Sequence, residues 1–308
     1  MRAVLVVNPA ATTASAHTRE VITRALGSEL KLDVVATTHR GHAAELAREA
    51  RADGLDLLVA FGGDGTVNEA VNGLLADGPT SDGPMLAVVP GGSTNVFARA
   101  VGLPGEPVEA TGQILDALRD RRVRRVGLGR AGDRWFTFSA GMGLDAEVVA
   151  EVERRRQAGA RSTPGLYLRT ALRRFYLGTE RRAGPLTLER PDRPVVDGLF
   201  LAVIQNTAPW TYLRRWPVHP CPLASFDTGL DLFALRRLGT PTLLRHVSQL
   251  LSTSGRSPHG RAVVSLHDET ELTLRSDRAV AFQLDGEHLG ERGAMTFTSV
   301  PRAVGVLS

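Results

Sequence analysis

One repeating arrangement constrains the first third of the chain: a short apolar run, a loop of small polar residues, then a helical pattern. Arg2–Val7 ends at Asn8-Pro9, and Val21, Ile22, Ala25 and Leu26 follow at helical spacing. Residues 32–36 read as a second strand, and His42–Ala52 as a helix with Ala43, Leu46, Ala47 and Ala50 on one face. Residues 55–61 and 85–89 are the third and fourth apolar runs, with helical patterns after them at 67–75 and 96–101. Short apolar runs bounded by turn residues read as buried strands. Strands alternating with helices imply a parallel sheet covered on both faces.

The pattern changes after Arg121. Residues 123–128, 135–139, 186–189, 199–205, 230–235, 262–266, 272–274, 279–284 and 295–298 read as strands separated by turn-rich spacers. Helical insertions are expected near 145–156, 166–177 and 242–251. The expected fold class is an N-terminal α/β domain with a parallel sheet, residues 1–122, followed by a mostly antiparallel β-sandwich, residues 123–308. The last residues are allowed to pack back on the first domain. A chain of 308 residues suits two domains at about 150 residues each.

Composition removes several chemistries. Lys31 is the only lysine, so all the other basic residues are arginine. A P-loop lysine and a protein-kinase strand lysine are absent, and a Schiff base would have to rest on Lys31 in the context Leu-Lys-Leu. Cys221 is the only cysteine, which excludes an intrachain disulfide and a CxxC motif. His39 with His42, or His219 beside Cys221, are the only suggestive metal spacings, and structural histidines are the commoner use. The net charge of +4 is small for a dedicated nucleic-acid binder, and no nucleic-acid partner is expected. No stretch approaches about 18 apolar residues, and the apolar run at the N-terminus is too short for a signal peptide. A cytoplasmic protein is expected.

The strongest motif is Gly62-Gly63-Asp64-Gly65-Thr66-Val67-Asn68-Glu69, which follows an apolar run and opens a helix. Glycines there let backbone N–H groups approach a phosphate, and the helix N-terminus adds partial positive charge. Asp64 is placed to hold Mg²⁺. The ordinary structural alternative is a capping box of Thr66 with Glu69. A second strand, glycine turn and helix start follows in Pro90-Gly91-Gly92-Ser93-Thr94-Asn95-Val96-Phe97-Ala98-Arg99, and the first strand ends in Asn8-Pro9-Ala10-Ala11-Thr12. Three such loops would share one carboxyl edge of the sheet, where open α/β sheets bind ligands.

These three segments, with Gly141-Met142-Gly143-Leu144-Asp145-Ala146, Asp227-Thr228-Gly229-Leu230-Asp231 and Asp285-Gly286-Glu287, resemble the diacylglycerol kinase catalytic domain. The likeness is closest to bacterial diacylglycerol and YegS-type lipid kinases, with sphingosine, ceramide and NAD kinases as relatives. It implies an ATP- and Mg²⁺-dependent lipid kinase, with ATP and acceptor meeting between an α/β domain and a β-sandwich. It implies ATP contacts at Asn8, Pro9, Ala10, Ala11, Thr12, Thr37, Gly62, Gly63, Asp64, Gly65, Thr66, Asn68, Gly92 and Ser93. Asp285 falls on the family's catalytic base, with Glu287 beside it. Phosphoryl transfer needs positioning, charge neutralisation and a base near the acceptor hydroxyl, and an aspartate suits the last role. Taken alone, Asp-Gly after an alternating strand is more often a hairpin turn.

The chain departs from the family pattern at three places. It has Asn95-Val96-Phe97 for Asn-Asp-Phe, Gly127-Leu128-Gly129 for Asp-x-Gly, and Asp227-Thr228-Gly229 for Asp-Asp-Gly. The last change removes the main side-chain ligand from a structural metal loop whose other candidates are Ser225, Thr228 and the backbone at Leu230. A soluble-acceptor kinase of the NAD kinase type, and a nucleotide-binding regulator without catalysis, are the rival readings.

The resemblance further implies a lipid partner at the inner membrane surface, and leaves a homodimer open. Arg119–Arg125 and Arg154–Arg156 read as solvated charge runs. Tyr167, Leu168, Ala171, Leu172, Phe175 and Tyr176, flanked by Arg169, Arg173, Arg174, Arg181 and Arg182, form either a helix packed on the β domain or a membrane-surface contact. Trp210, Tyr212, Leu213, Arg214, Arg215 and Trp216 are a second such candidate.

Overall fold

The computed structural model describes residues 1–13, 15–157, 170, 184–213, 216–237, 240–252 and 254–308. The segment from Tyr167 to Arg182, expected to carry an aromatic and basic helix, lies outside the described residues but for Thr170. Two compact units form: Met1–Leu128 with Pro301–Ser308, and Gly129–Val300.

The first unit runs β1 (Arg2–Val7), α1 (Ala16–Gly27), β2 (Lys31–Ala36), α2 (His42–Ala52), β3 (Leu57–Gly62), α3 (Asp64–Leu74), β4 (Met85–Pro90), α4 (Val96–Ala100) and α5 (Pro107–Arg119). The strands pair in the order β4-β3-β1-β2, all parallel. Every residue of β3 is buried, whereas β2 is an edge strand with no fully buried residue. The register is even: Val7 faces both Ala36 and Phe61, and Gly62 faces Pro90. The carboxyl ends of all four strands therefore lie level.

Helix packing in this unit follows from small residues. A Cβ on Gly73 of α3 would lie 2.3 Å from the Ala44 carbonyl of α2, so only glycine allows these helices to pack so closely. Ser15 caps α1 by accepting from the Thr18 N–H, and Glu106 caps α5 by accepting from the Val108 and Glu109 N–H groups. The arginine-rich run at 119–125 is only partly a solvated face. Arg122 donates to the Ser308 carbonyl, and Arg125 donates to the carbonyls of Arg302 and Thr80. Val306 pairs in parallel with Leu86 of β4.

β5 (Val123–Ala131) leads into the second unit, which continues β6 (Arg134–Phe136), β7 (Ser139–Gly143), α6 (Leu144–Gln157), β8 (Leu186–Glu189), β9 (Val196–Leu199), β10 (Leu201–Gln205), β11 (Thr211–Leu213), β12 (Trp216–Val218), β13 (Leu230–Leu235), α7 (Thr240–Leu250), β14 (Val263–Glu269), β15 (Glu271–Leu284) and β16 (Glu287–Leu307). Antiparallel pairs join β14-β13-β10-β7-β15-β16, and β8 joins both β15 and β9. Side chains two apart along each strand enter one core: Leu186 and Leu188, Ala202 and Ile204, Leu230, Leu232 and Ala234, Leu272 and Leu274, Phe282 and Leu284. The two runs expected at 272–274 and 279–284 are one strand whose register with β16 shifts between Arg275 and Val280. Its first half pairs with β8 and its last residues with β7. That change of partner lets one strand serve both layers around the core.

Candidate functional site

In the first unit the chain passes from β1 outward to β2, then returns to the far side of β1 for β3 and β4. The strand order thus reverses between β1 and β3, and open α/β sheets bind ligands at such a point, outside the carboxyl ends. The loops found there are those of Asn8 and Gly62. Asn8 donates from Nδ2 to the Thr66 Oγ1 at 3.0 Å, and its Oδ1 accepts from the Ala10 N–H at 2.9 Å. Thr37 follows β2 directly and donates its N–H to the Val7 carbonyl. Asn8, Pro9, Ala10, Ala11, Thr12, Thr37 and Gly62 therefore gather on one edge.

The two glycine turns pack against each other. The Gly91 N–H donates to the Gly62 carbonyl at 2.7 Å, and the Thr13 N–H donates to the Gly91 carbonyl. A Cβ on Gly91 would lie 2.9 Å from the Gly62 Cα, and one on Gly92 would lie 2.8 Å from the Gly63 Cα. These glycines are required first by backbone contact between the loops. Gly65 is different: it is exposed, and a Cβ there would meet nothing within 4 Å among the described residues. Its open side faces outward at the start of α3.

The capping box expected for Thr66 and Glu69 does not form. The N-cap of α3 is Gly63, which has no side chain to offer. Glu69 instead turns to α2, where its carboxylate accepts from the Gly41 and Ala43 N–H groups. It replaces the side-chain cap that Gly41, left-handed at φ 89°, does not give. Thr66 is occupied by Asn8. The first turn of α3 therefore keeps N–H groups that no capping side chain takes, the arrangement that accepts an anion. Asp64 reaches across to α4, accepting from the Phe97 N–H at 3.1 Å. Asn95, held at φ 50°, clamps the second loop through two bonds to Gly92: its Oδ1 accepts from the Gly92 N–H and its Nδ2 donates to the Gly92 carbonyl, each at 2.8 Å. Ser93 is exposed at its tip, and Asn68 is buried on α3.

In the second unit Asp285 and Gly286 are the two central residues of a tight turn between β15 and β16, with φ of 48° and 78° and Leu284 facing Glu287. Two positive φ values in a two-residue loop make the hairpin turn for which Asp-Gly is favoured. The Asp285 side chain folds back on the β6–β7 connection. Oδ2 accepts from the Thr137 N–H at 2.7 Å and the Thr137 hydroxyl at 2.8 Å, and Oδ1 accepts from the Phe138 and Ser139 N–H groups at 3.0 Å each. Four donors match the roughly four acceptor sites of an ionised carboxylate. Of the four, only the Thr137 hydroxyl can rotate away without moving the backbone. Glu287 opens β16, 4.0 Å from Arg134.

A buried chain of contacts supports this turn. Gln283 accepts at Oε1 from the Gly286 N–H at 2.9 Å and donates from Nε2 to Asp145 Oδ2 at 3.0 Å. Asp145 sits in the first turn of α6, and burial pushes its carboxyl up to about 6, against the hydrogen bond from Gln283 that lowers it.

In the loop weighed for a structural metal, the Ser225 carbonyl accepts from both the N–H and the hydroxyl of Thr228, each at 3.1 Å, and the Gly229 N–H donates to Asp268 Oδ1 at 2.6 Å. Among the described residues no three His, Cys, Asp or Glu side chains gather as a metal cluster. Cys221 is buried, which pushes its thiol well up, and His39 and His42 stack on each other at 4.8 Å.

Residue reasoning from sequence missed Asn95, Glu69, Thr137 and Gln283. Asn after Gly-Gly-Ser-Thr carried a signal, since asparagine tolerates positive φ; the other three carried none.

The sequence profile of the diacylglycerol kinase catalytic domain matches residues 2–131. A Chromohalobacter salexigens protein named "Probable lipid kinase YegS-like" is 32% identical over 274 residues, 87% of this chain and 81% of that protein. The Bacillus subtilis diacylglycerol kinase is 35% identical over 137 residues, 44% of this chain and 43% of that protein. Among solved structures, a diacylglycerol kinase from Bacillus anthracis superposes with a TM-score of 0.75 at 24% identity, covering 99% of this chain and 96% of the other. An NAD kinase from Archaeoglobus fulgidus in complex with ATP gives 0.55 at 12% identity, covering 100% and 94%. At these identities the two structures show a shared fold.

Proposed function

Because the chain belongs to the diacylglycerol kinase catalytic-domain family, we propose that it transfers the γ-phosphate of ATP to the hydroxyl of a diacylglycerol-like lipid. The observation that carries the reading is the pair of interlocked glycine turns at the β1/β3 switch point, with the start of α3 uncapped and Gly65 open beside it. With no P-loop lysine, the phosphates are held by backbone N–H groups at the start of α3, by the Asn8–Thr12 loop and by the second glycine turn. Mg²⁺ typically takes one or two carboxylates together with substrate phosphates and water. Asp64, beside the open side of Gly65, suits an ion that arrives with ATP. That ion would supply neutralisation of the β- and γ-phosphate oxygens.

Asp285 is proposed as the base. Its carboxylate is held by three N–H groups, so its direction is fixed before the acceptor arrives. The acceptor hydroxyl would take the place of the Thr137 hydroxyl at Oδ2, give up its proton there and attack the γ-phosphorus, while the bond from the γ-phosphorus to the bridging oxygen breaks and ADP leaves. Glu287 lies two residues on and supports the negative field that keeps the hydroxyl oriented. No helix among the described residues is long and apolar enough to cross a membrane.

An ADP-release assay with two acceptor sets tests the reading. Release that rises with detergent-dispersed mixed lipids supports it. Release that rises with NAD instead would move the chain to a soluble acceptor. ATP binding without turnover on any acceptor would make it a nucleotide-binding regulator.

A further inference from the structure

Half of the exposed large apolar side chains among the described residues come from one stretch of the second unit: Leu213, Trp216, Leu223, Val247 and Leu251. Three contacts make that stretch one surface. The His219 N–H donates to the Leu250 carbonyl at 2.8 Å, which joins the end of β12 to the end of α7. Leu250 packs on the small core that contains Cys221 and Ala224, on either side of Leu223. The Leu251 N–H, just past α7, donates to the Val247 carbonyl at 3.1 Å, which puts these two residues, four apart, on one side of the chain there.

β11 and β12 form a two-stranded ribbon that pairs with no other strand among the described residues. Leu213 faces Trp216 directly across the ribbon, and Thr211 faces Val218. Alternation puts these four side chains on one face. Val218 is buried and Trp216 is 66% exposed, so the ribbon leaves the core at its base and carries an apolar pair about 7 Å further out. The stretch is basic in sequence. Residues 207–266 contain seven arginines, no lysine, no glutamate and two aspartates, of which Asp231 is buried.

We infer that the β11–β12 ribbon and the end of α7 are the docking surface for an anionic lipid bilayer, with Leu213 and Trp216 entering the interface. A narrow projecting ribbon offers little of the roughly 800 Å² per partner that a stable protein complex buries. Its exposed apolar pair, Leu213 and Trp216, and the arginine-rich stretch of sequence that carries it match what an interfacial anchor needs: aromatic and aliphatic insertion, and arginines against anionic lipid. This inference rests on the lipid-kinase reading, since a lipid acceptor must be met at a bilayer.

The test is sedimentation with phosphatidylcholine vesicles, with and without phosphatidylglycerol, together with tryptophan emission. The chain has three tryptophans; Trp135 is buried and Trp210 half-buried, so Trp216 dominates any change at the surface. Wild type should sediment with the phosphatidylglycerol vesicles, lose binding as salt rises, and show a blue shift on binding that Trp216→Phe abolishes. A double variant, Leu213→Ser with Trp216→Ala, should bind about ten-fold or more weakly. Activity on a short-chain monomeric acceptor should stay at wild-type level in all of them, which also shows that they fold. Undiminished vesicle binding by the double variant would overturn the inference, as would loss on replacing Arg169, Arg173, Arg174 and Arg181 instead. Failure of wild type to phosphorylate any lipid in detergent micelles would refute the lipid-kinase reading, whatever the vesicles show.

Discussion

Replacing Asp145 by asparagine should make the protein more stable at neutral pH and change how its stability depends on pH. The side chain is buried, with one hydrogen bond from Gln283 to its Oδ2. Burial raises its carboxyl from 3.8 to about 6. Below about 4 the group is protonated in both the folded and the unfolded chain and has no effect on their difference. Between about 4 and 6 the unfolded chain releases the proton first, so stability falls as pH rises, and above 6 the loss is complete. At 1.36 kcal/mol per pKa unit the full fall is about 3 kcal/mol, a substantial part of a typical folding free energy. The asparagine side chain would still accept from Gln283 through its carbonyl and would carry no charge. Urea unfolding of wild type and Asp145→Asn at pH 4, 5, 6 and 7.5 checks this. The wild type should lose stability across that series by about 3 kcal/mol more than the variant does. Parallel curves would show that Asp145 is solvated or otherwise compensated, and the reasoning would fail. Loss of stability by the variant at pH 7.5 would show that the ionised carboxylate has a partner worth more than its burial costs.

Gly65→Val should unfold at the same urea concentration as wild type, because its side chain meets no protein atom, yet should lose ATP binding measured by calorimetry. Gly63→Val should lose both, since a Cβ there already sits 3.3 Å from the Gly92 Cα. Asp285→Asn places an amide NH₂ against at least one backbone N–H whichever way it turns; turnover should fall about 10²–10⁴-fold and stability by about 1–3 kcal/mol. A well-folded variant with only a few-fold loss of turnover would remove Asp285 as base. Lys31→Met should keep full activity, because Lys31 is exposed at the start of β2, at the opposite end of the strand from Thr37.

The α/β unit was legible because three of its four strands end where an apolar run meets glycine, Pro-Gly or Asn-Pro, and parallel strands of equal length bring those ends level. The glycine motifs were legible as a ligand edge, though not for the first reason each glycine is needed, which is the contact between the two loops. Glu69 misled because a capping box is a local pattern, and the nearer demand came from Gly41, 28 residues away. Asp285-Gly286 supports both readings of its sequence: the backbone is a hairpin turn, and the side chain is a fixed carboxylate. In the second unit the sequence obscured β7, Ser139–Gly143, because a strand buried along its whole length and built from small residues shows no alternation. The ribbon of β11 and β12 was obscured by its three-residue strands. The arginine run at 119–125 looked like a charged face; its hydrogen bonds to the carbonyls of Thr80, Arg302 and Ser308 depend on chain ends far apart in sequence.

Transfer of label from γ-labelled ATP to a total lipid extract tests the central claim most directly. The account predicts that label enters the organic phase in a lipid phosphomonoester, identified by mass spectrometry, and that the product is absent with Gly65→Val. Label found only in water-soluble products, with the wild-type protein folded and ATP consumed, would contradict it.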